Sequence, residues 1–400
     1  MNVARRIWGS CLLITVCMGS FGTAGLSLGF AVSLLVSMAA VEPALLKQRF
    51  SRLPLLPSAM LFLLWGLVTV TWTEAGALLP VLSDWSRWLI LIPAAGFMMT
   101  DDVRHGIWRA LLAVQVIVAL WSIYVGIDCA IDWSPFPHAY ECMNKRIPNG
   151  NIQASWILGF SALLALVWLE GRWRWLIAFV LVFPLFLIGN RTGFFVFGIG
   201  LGFALWLADS LRPWRLQVIA ASAAIAAAGF LANPALQQRL DEALDLNRYE
   251  VAQDLPEAQT SEGLRATYWQ VGMLAVRDQP LIGHGLGSWP EVYRGLQAQV
   301  QGPPGSANPH SSYVQIAVEQ GLIGLFLFLG LLAALWQSAS WLRGFEAVSL
   351  RLLLATFAAG SLFNTWTHDS AASRMFLVLM LLCLAGLRAP GNALNRESGS

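Results

Sequence analysis

Residues 175–208 read WLIAFVLVFPLFLIGNRTGFFVFGIGLGFALWLA, two strongly apolar runs on either side of the polar break Gly189-Asn190-Arg191-Thr192-Gly193. A transmembrane helix needs roughly 20 mostly apolar residues, and each run approaches that length. Similar runs recur along the chain with short polar breaks between them, whereas a membrane barrel gives only weak alternating segments. The pattern therefore predicts an all-α polytopic membrane protein.

The composition excludes a water-soluble fold. Hydrophobic residues make up 57% of the 400 residues, charged residues only 12%, and the mean hydropathy is +0.61. Soluble domains carry about 25% charged residues. The formal net charge of +2 gives no reason to expect a nucleic-acid partner. We therefore expect the lipid bilayer as the surroundings of the chain.

About twelve transmembrane helices are predicted, because apolar runs of sufficient length recur about that often. They lie at 7–20, 24–42, 55–73, 85–99, 106–126, 151–169, 173–189, 193–208, 215–232, 312–336, 346–366 and 371–388. Lysine and arginine concentrate in alternate short breaks, for example at Lys47, Arg104 and Arg215. By the positive-inside rule that side is the cytoplasm, which places both termini inside.

The predicted order divides the chain into four parts. Residues 1–232 carry transmembrane helices 1–9, residues 233–311 form one large loop on the outer side, residues 312–390 carry helices 10–12, and residues 391–400 form a cytoplasmic tail. Within the loop, apolar residues recur at helical spacing, which predicts an amphipathic helix lying on the membrane or on the bundle. These residues are Leu264, Tyr268, Val271, Leu274 and Ala275.

Two cysteines, Cys129 and Cys142, share a predicted outer loop. An oxidising periplasm would allow a disulfide between them. Two free thiols are the alternative, and a metal site is less favoured because no CxxC or HxxxH spacing accompanies the pair. We assign no chemistry to Cys11, Cys17 and Cys383, which fall inside predicted spans.

Arg191 lies at the edge of an apolar run, where an exposed charge is costly. One interpretation is an interfacial anchor. The other is an anion site, in which Thr192 caps the following helix and the free N–H groups of that helix act together with Arg191. Arg265, near the start of the amphipathic helix, has the same two interpretations, and from spacing alone Arg277 and Arg294 compete with it equally.

The segment Asn308-Pro309-His310-Ser311-Ser312-Tyr313-Val314-Gln315 leads into an apolar run. Ser312 with Gln315 matches a capping box, so a helix is predicted to start at Ser312 with His310 just outside it. A positive helix end disfavours imidazolium, which would leave His310 neutral and able to accept a proton. The alternative is an ordinary histidine in a turn.

Further polar residues follow. Glu319 falls inside an apolar stretch, so it should be paired, protonated or facing a cavity. His368, Asp369 and Arg374 cluster in the last outer loop, where a solvated turn is favoured over substrate contacts. The run Gly283-His284-Gly285-Leu286-Gly287 only superficially resembles a nucleotide loop, because no Lys-Ser/Thr follows it.

Together these segments resemble the O-antigen ligase and polymerase superfamily, most closely its lipopolysaccharide O-antigen ligases (WaaL type). The matching residues, within about 180–335, are Asn190 to Gly193; Arg265, Tyr268, Trp269, Pro280, Gly283, Gly285 and Gly287; and His310 to Tyr313, Gln315, Glu319, Gly321 and Gly324. One departure is Ser311, where many relatives carry Asn.

The resemblance implies a GT-C-like bundle in the bacterial inner membrane, with its active site at the periplasmic face. It implies transfer of O-antigen from undecaprenyl diphosphate to a sugar of lipid A-core. The family's two essential arginines and histidine correspond to Arg191, Arg265 and His310. Thr192, Trp269, Ser311, Glu319 and His368 are candidate supporting residues.

In the reaction expected from these residues, Arg191, Arg265 and His310 gather around one pocket beneath the outer loop. There the two arginines bind the donor diphosphate, and His310 removes the proton of the acceptor hydroxyl. A single displacement would invert the anomeric centre, and no metal or other cofactor is expected, because no paired acidic motif is evident outside. The alternatives are an O-antigen polymerase, a protein O-glycosylation ligase and a non-catalytic lipid or solute transporter. A transporter is less favoured because no internal repeat is evident.

Overall fold

The computed structural model describes residues 3–39, 41–50, 54–73, 78–95, 99–130, 139–188, 190–232, 261–300 and 302–387. Throughout these ranges the regular structure is helical, and they contain no β-strand. The prediction of an all-α polytopic membrane protein is confirmed. Two predicted parts, the tail 391–400 and the segment 233–260 of the large loop, lie outside the described residues.

The helices follow one another along the chain and overlap every predicted span. In order they are α1 Val3–Gly19, α2 Thr23–Ala39, α3 Pro43–Phe50, α4 Leu55–Thr69, α5 Leu78–Ser86, α6 Leu91–Ala95, α7 Asp101–Ala130, α8 Ala139–Arg146, α9 Gly150–Trp168, α10 Gly171–Ile188, α11 Arg191–Leu207, α12 Arg215–Ala232, α13 Ser261–Asp278, α14 Trp289–Leu296, α15 Ser312–Ser338, α16 Phe345–Gly360 and α17 Ser370–Leu384.

Among the described residues, five helices are long and apolar enough to cross a membrane by themselves. They are Leu55–Trp72, Asp101–Cys129, Gly150–Trp168, Gly171–Ile188 and Ser312–Trp341. The number rises to seven if each of two bent helix pairs is one span. In one of these pairs, α11 and Asp209–Ala224 are inclined by 109°. The count of twelve spans stays a prediction.

One predicted span, 85–99, is not a continuous helix. The chain instead forms the end of α5, a three-ten turn at Arg87–Ile90 and the short α6. The interruption brings the Arg87 side chain inward, where its guanidinium donates to the carbonyl oxygen of His368 at 3.1 Å. A buried cation thus satisfies a backbone acceptor of the loop before α17, which a continuous apolar helix at this place would not provide.

Helix α9 forms the centre of the bundle. It packs against α10, α11 and α16, and 78% of the residues in its apolar stretch are buried inside the protein. Neighbouring α10 is buried to a smaller extent and exposes Phe179, Phe183 and Phe186. Exposed aromatic side chains on an apolar helix fit contact with lipid rather than water. Helix α9 therefore lies within the core, and α10 belongs to the outer layer.

The residues predicted to form an amphipathic helix lie in α13. Its apolar face buries Tyr268, Val271 and Ala275 in a small core shared with Trp289 of α14 and Val318 of α15. Of the two placements considered for this helix, the one on the bundle is therefore found. Helix α13, which belongs to the long connection between α12 and α15, is thus fixed against the rest of the protein by one face.

Helix α15 is interrupted at Gly321, whose backbone has φ 68° and ψ −174°. The chain segment before α14 docks into this break: the N–H of Gly285 donates to the carbonyl oxygen of Glu319 at 2.9 Å, and the N–H of Leu322 donates to that of Pro280 at 2.8 Å. A Cβ on Gly283 would lie 2.5 Å from the nitrogen of Gly321. The glycine run is thus a packing segment that supports Glu319.

Cys129 and Cys142 form a disulfide, with their Cα atoms 6.0 Å apart. The bond joins the end of α7 to α8. An ion pair between Arg146 and Asp128 links the same two helices. Of the alternatives considered for this cysteine pair, the disulfide is the one found.

Candidate active site

His310 occupies a fixed position in the turn before α15. Its backbone has a left-handed φ of 51°, which is uncommon for a residue other than glycine. Its N–H donates to Oδ1 of Asn308 at 3.0 Å, and the hydroxyl of Thr365 donates to the same oxygen at 2.7 Å. Its ring stacks on that of Tyr268, with centroids 5.8 Å apart. Backbone and ring are therefore both held by neighbouring elements.

The first turn of α15 begins where predicted but is capped differently. Ser311, not Ser312, is the N-cap, and its hydroxyl accepts from the N–H of Val314 at 3.4 Å. The hydroxyl of Ser312 is buried and donates to the carbonyl oxygen of Asn364 at 3.2 Å. The predicted capping box is wrong because Gln315 turns away from the helix start to bind Glu319.

Burial lowers the pKa of the His310 imidazole, and the positive charge of Arg265 lowers this pKa further. Both effects disfavour imidazolium. A neutral His310 was predicted from the helix end, and the direction agrees, but burial and Arg265 are the causes identified here. The unprotonated imidazole is the form that can accept a proton.

Arg265 and Arg191 lie on two helices that meet at one aromatic ring. The ring of Trp269, one turn after Arg265 on α13, stacks on Phe363 with centroids 6.0 Å apart. The ring of Phe195, one turn after Arg191 on α11, meets the same Phe363 edge-on at 5.3 Å. Residues four apart share a helix face, so both arginines lie on the faces directed toward Phe363.

The start of α11 also differs from the prediction. Asn190, not Thr192, is the N-cap, and its side-chain oxygen accepts from the N–H groups of Thr192 and Gly193 at 2.9 and 3.4 Å. Thr192 is buried, and Arg191, the first helical residue, is exposed. Asn190 satisfies two of the free N–H groups that the sequence had assigned to an anion.

A cavity of about 380 Å³ lies beside His310. Its size falls within the range of about 300–1,000 Å³ typical of small-molecule pockets. It is lined by Val81, Asp84, Ile152, Gln153, Gly287, Pro290, Ala307, Asn308, His310, Gln315, Glu319, Asn364, Thr365, Trp366, His368 and Asp369. The cavity therefore gathers His310, Glu319 and His368, whereas Arg191, Arg265, Thr192 and Trp269 are not among its lining residues.

Glu319, whose partner the sequence did not reveal, is fully buried between two side chains. The amide of Gln315 donates to its Oε1 at 2.9 Å. Nε2 of His368 lies 3.6 Å from its Oε2. Of the three states allowed for a carboxyl group at membrane depth, pairing and facing a cavity both apply here.

The cluster of His368, Asp369 and Arg374 is packed against other elements. The favoured prediction of a solvated turn there is therefore wrong. Asp369 caps α17 through Oδ1, and its Oδ2 accepts from Nε2 of Gln153 at 2.7 Å. Arg374 donates to the hydroxyl of Ser27 at 2.6 Å. Of this group, His368 and Asp369 line the cavity.

Sequence reasoning missed Asp84, Gln153 and Asn364, which complete the cavity wall. Asp84 belongs to α5, just before the predicted span 85–99, and Gln153 lies in the first turn of α9. Each was a single polar residue near an apolar segment, which carries no periodic signal. Asn308 was quoted only as a neighbour of His310, although it holds both His310 and Thr365.

Comparison with known proteins agrees with this arrangement. The family model of O-antigen ligases matches residues 176–329, which include α11, α13 and the turn before α15. A Rickettsia conorii protein that bears the provisional name polysaccharide ligase is 26% identical over 218 residues. That alignment covers 52% of this chain and 51% of the relative, so the chain spans about half the length of the relative that it matches.

The fold is that of a multi-pass membrane protein, and its segment 176–329 is similar to the O-antigen ligase family.

Proposed function

We propose that the protein is a lipopolysaccharide O-antigen ligase that transfers a glycan from undecaprenyl diphosphate to a sugar of lipid A-core. The observation that carries the proposal is the position of His310. It lines a cavity, and the positive charge of Arg265 lowers the pKa of its imidazole. A base that lines a cavity, with a cation close enough to act on it, is the arrangement that transfer from a diphosphate donor requires.

The donor diphosphate binds at Arg191 and Arg265. Both guanidiniums are permanently charged and can form paired hydrogen bonds with phosphate oxygens. As the bond between the anomeric carbon and the phosphate oxygen breaks, its electron pair leaves with the diphosphate. The two cations stabilise that developing negative charge. The arrangement of both helices around Phe363 supports a shared diphosphate site.

The acceptor hydroxyl lies in the cavity beside His310. Its oxygen attacks the anomeric carbon from the side opposite the diphosphate, and its proton passes to the unprotonated imidazole. One carbon–oxygen bond forms while another breaks, so the configuration at the anomeric carbon inverts. General-base assistance of this kind typically contributes about 10² to 10⁴-fold. The proposed reaction uses no metal ion, and a loss of activity in EDTA that a divalent cation restores would contradict this.

The same proposal places the site at the periplasmic face of the inner membrane, with both termini in the cytoplasm. The disulfide supports this orientation, because disulfides persist in the periplasm and are rare in the cytosol. The loop that carries it precedes α9, whose first turn supplies Gln153 to the cavity. The disulfide and the cavity therefore lie near the same end of α9.

The test uses the full-length protein in lipid nanodiscs, supplied with glycan on undecaprenyl diphosphate and with lipid A-core. Capped lipid A-core is the expected product. Longer carrier-linked chains would instead indicate a polymerase, and binding without any product would indicate a transporter. We expect His310→Ala to abolish product while donor binding is retained, and Arg265→Lys to weaken donor binding. Arg277→Lys, an exposed position on the same helix, is the matched control.

A further inference from the structure

The lining of the cavity beside His310 carries hydrogen-bond acceptors and negative charge. Asp84, Glu319 and Asp369 contribute carboxyl groups, and His310 and His368 contribute imidazoles. Among the lining residues that the structure describes, there is no lysine or arginine. Arg87 pairs with Asp84, but its side chain is only 7% exposed and is not part of the lining.

Four buried polar atoms of the lining make no hydrogen bond among the described residues. Two are Oε1 of Gln315 and Nε1 of Trp366; the other two, Oε2 of Glu319 and Nε2 of His368, lie 3.6 Å from each other. Gln315 is 5% exposed, Glu319 is 0% exposed and Trp366 is 1% exposed. Native proteins satisfy nearly all such groups, so a cluster of them around one cavity fits a ligand that bears hydroxyl groups.

We infer that this cavity is the subsite for the acceptor sugar and that it selects an unphosphorylated one. The inference rests on the proposed function, in which His310 takes the proton of the acceptor hydroxyl. Because His310 lines the cavity, the sugar that bears this hydroxyl lies within it. The carboxyl and amide oxygens of Glu319 and Gln315 accept from sugar hydroxyls, while the indole of Trp366 donates.

A phosphate on that sugar would be rejected. It would face the carboxyl groups of Asp84, which pairs with Arg87, and of Asp369, which accepts from Gln153. Like charges in a partly buried site repel more strongly than in water. The anionic diphosphate of the donor would thus bind at the arginines outside the cavity, and the neutral acceptor sugar would bind beside the carboxyl groups inside it.

The experiment measures inhibition of transfer to lipid A-core by methyl glucoside, methyl galactoside and their 6-phosphates. With wild-type protein in nanodiscs, we expect the neutral glycosides to compete with lipid A-core but not with the donor. The 6-phosphates should inhibit at least about tenfold more weakly, the cost of one unfavourable charge contact of roughly 1.4 kcal/mol.

The variants Asp84→Asn and Glu319→Gln test the residues themselves. Each should raise the KM for lipid A-core about tenfold with the KM for the donor unchanged. Each should also reduce the difference in inhibition constant between the neutral and the phosphorylated glycosides. Asp278→Asn is the matched control, because its carboxyl group is 69% exposed on α13 and does not line the cavity.

The outcomes separate the two proposals. Equal inhibition by neutral and phosphorylated glycosides, competition with the donor, or no inhibition by the neutral glycosides would overturn the acceptor subsite even if either variant fails to fold. In each of these cases, normal transfer by the wild-type protein would leave the ligase proposal standing. A wild-type protein that transfers nothing to lipid A-core would refute the ligase proposal and the subsite together.

Discussion

The ring of His310 stacks on the ring of Tyr268, with an angle of 22° between their planes. The two residues come from different elements, since Tyr268 lies in α13 and His310 in the turn before α15. Tyr268 is 8% exposed and also packs edge-on against Tyr293 of α14. The orientation of the proposed base is therefore set by the helix that also carries Arg265.

Replacing Tyr268 by Ala should lower kcat about tenfold, because an aromatic pair of this kind contributes about 0.5–1.5 kcal/mol and holds the imidazole in place. Tyr268→Phe keeps the ring and should retain most of the activity. Transfer assays at saturating donor and acceptor measure this. Equal losses in both variants would contradict a role for the stacking itself.

Arg265 should control the pH at which activity appears. The base must be neutral, so kcat/KM should fall as the pH drops through the lowered pKa of His310, which lies below its usual 6.5. Removing the positive charge in Arg265→Gln makes imidazolium more stable and raises that pKa. The acid limb of the profile should then move to higher pH, in addition to a lower maximum from weaker donor binding.

The control for this shift is Arg277→Gln, three turns further along α13 and exposed. Its profile should coincide with that of the wild type. An Arg265→Gln profile that is merely lower, with its acid limb unmoved, would show that the charge of Arg265 does not act on His310.

The sequence predicted the helical fold, the helix α13 and the start of α15, because each has a strong periodic or capping signal. It predicted that Arg191, Arg265 and His310 gather around one pocket, and of the three only His310 lines the cavity. Only the fold shows that the ring of Tyr268 stacks on His310 and that the charge of Arg265 acts on it. The observed N-caps are Ser311 and Asn190, whereas Ser312 and Thr192 were predicted. Neighbouring Ser, Asn and Thr residues can all serve as N-caps, so residue type alone does not decide between them.

The cavity wall could not be predicted, since it joins polar residues that are distant in sequence. Asp84 and Gln153 come from α5 and α9, and His368 comes from the loop before α17. A single polar residue at a helix end is ordinarily solvated, and only the tertiary arrangement makes it part of a site. The partner of Glu319 could not be predicted for the same reason, because His368 reaches it from the loop between α16 and α17.

The disulfide between Cys129 and Cys142 should stabilise the region near the first turn of α9. Its sequence separation is 13 residues, and closing a loop of that size contributes about 3 kcal/mol in the chain-entropy estimate. The double variant Cys129→Ser with Cys142→Ser should therefore have a lower Tm in detergent, as should the wild type after reduction. Cys11→Ser, a free and partly exposed cysteine, is the control. An unchanged Tm after reduction would contradict the prediction.

Gly283 should be intolerant of any side chain. Its φ of 70° is left-handed, and a Cβ there would lie 2.5 Å from the nitrogen of Gly321 and 2.7 Å from that of Gln320. Gly283→Ala would push the segment out of the break in α15, where Gly285 binds the carbonyl of Glu319. We expect a loss of at least about 2 kcal/mol of stability, from strain and from the displaced hydrogen bonds.

Gly198→Ala provides the comparison, because a Cβ at that position in α11 meets nothing within 4 Å. Alanine favours a helix interior over glycine by roughly 1 kcal/mol, so this variant should keep or raise the Tm. Thermal unfolding in detergent measures both variants, and transfer assays should show that Gly283→Ala also loses activity as Glu319 shifts. If Gly283→Ala unfolds at the wild-type temperature, the docked segment does not hold the break in α15 in place.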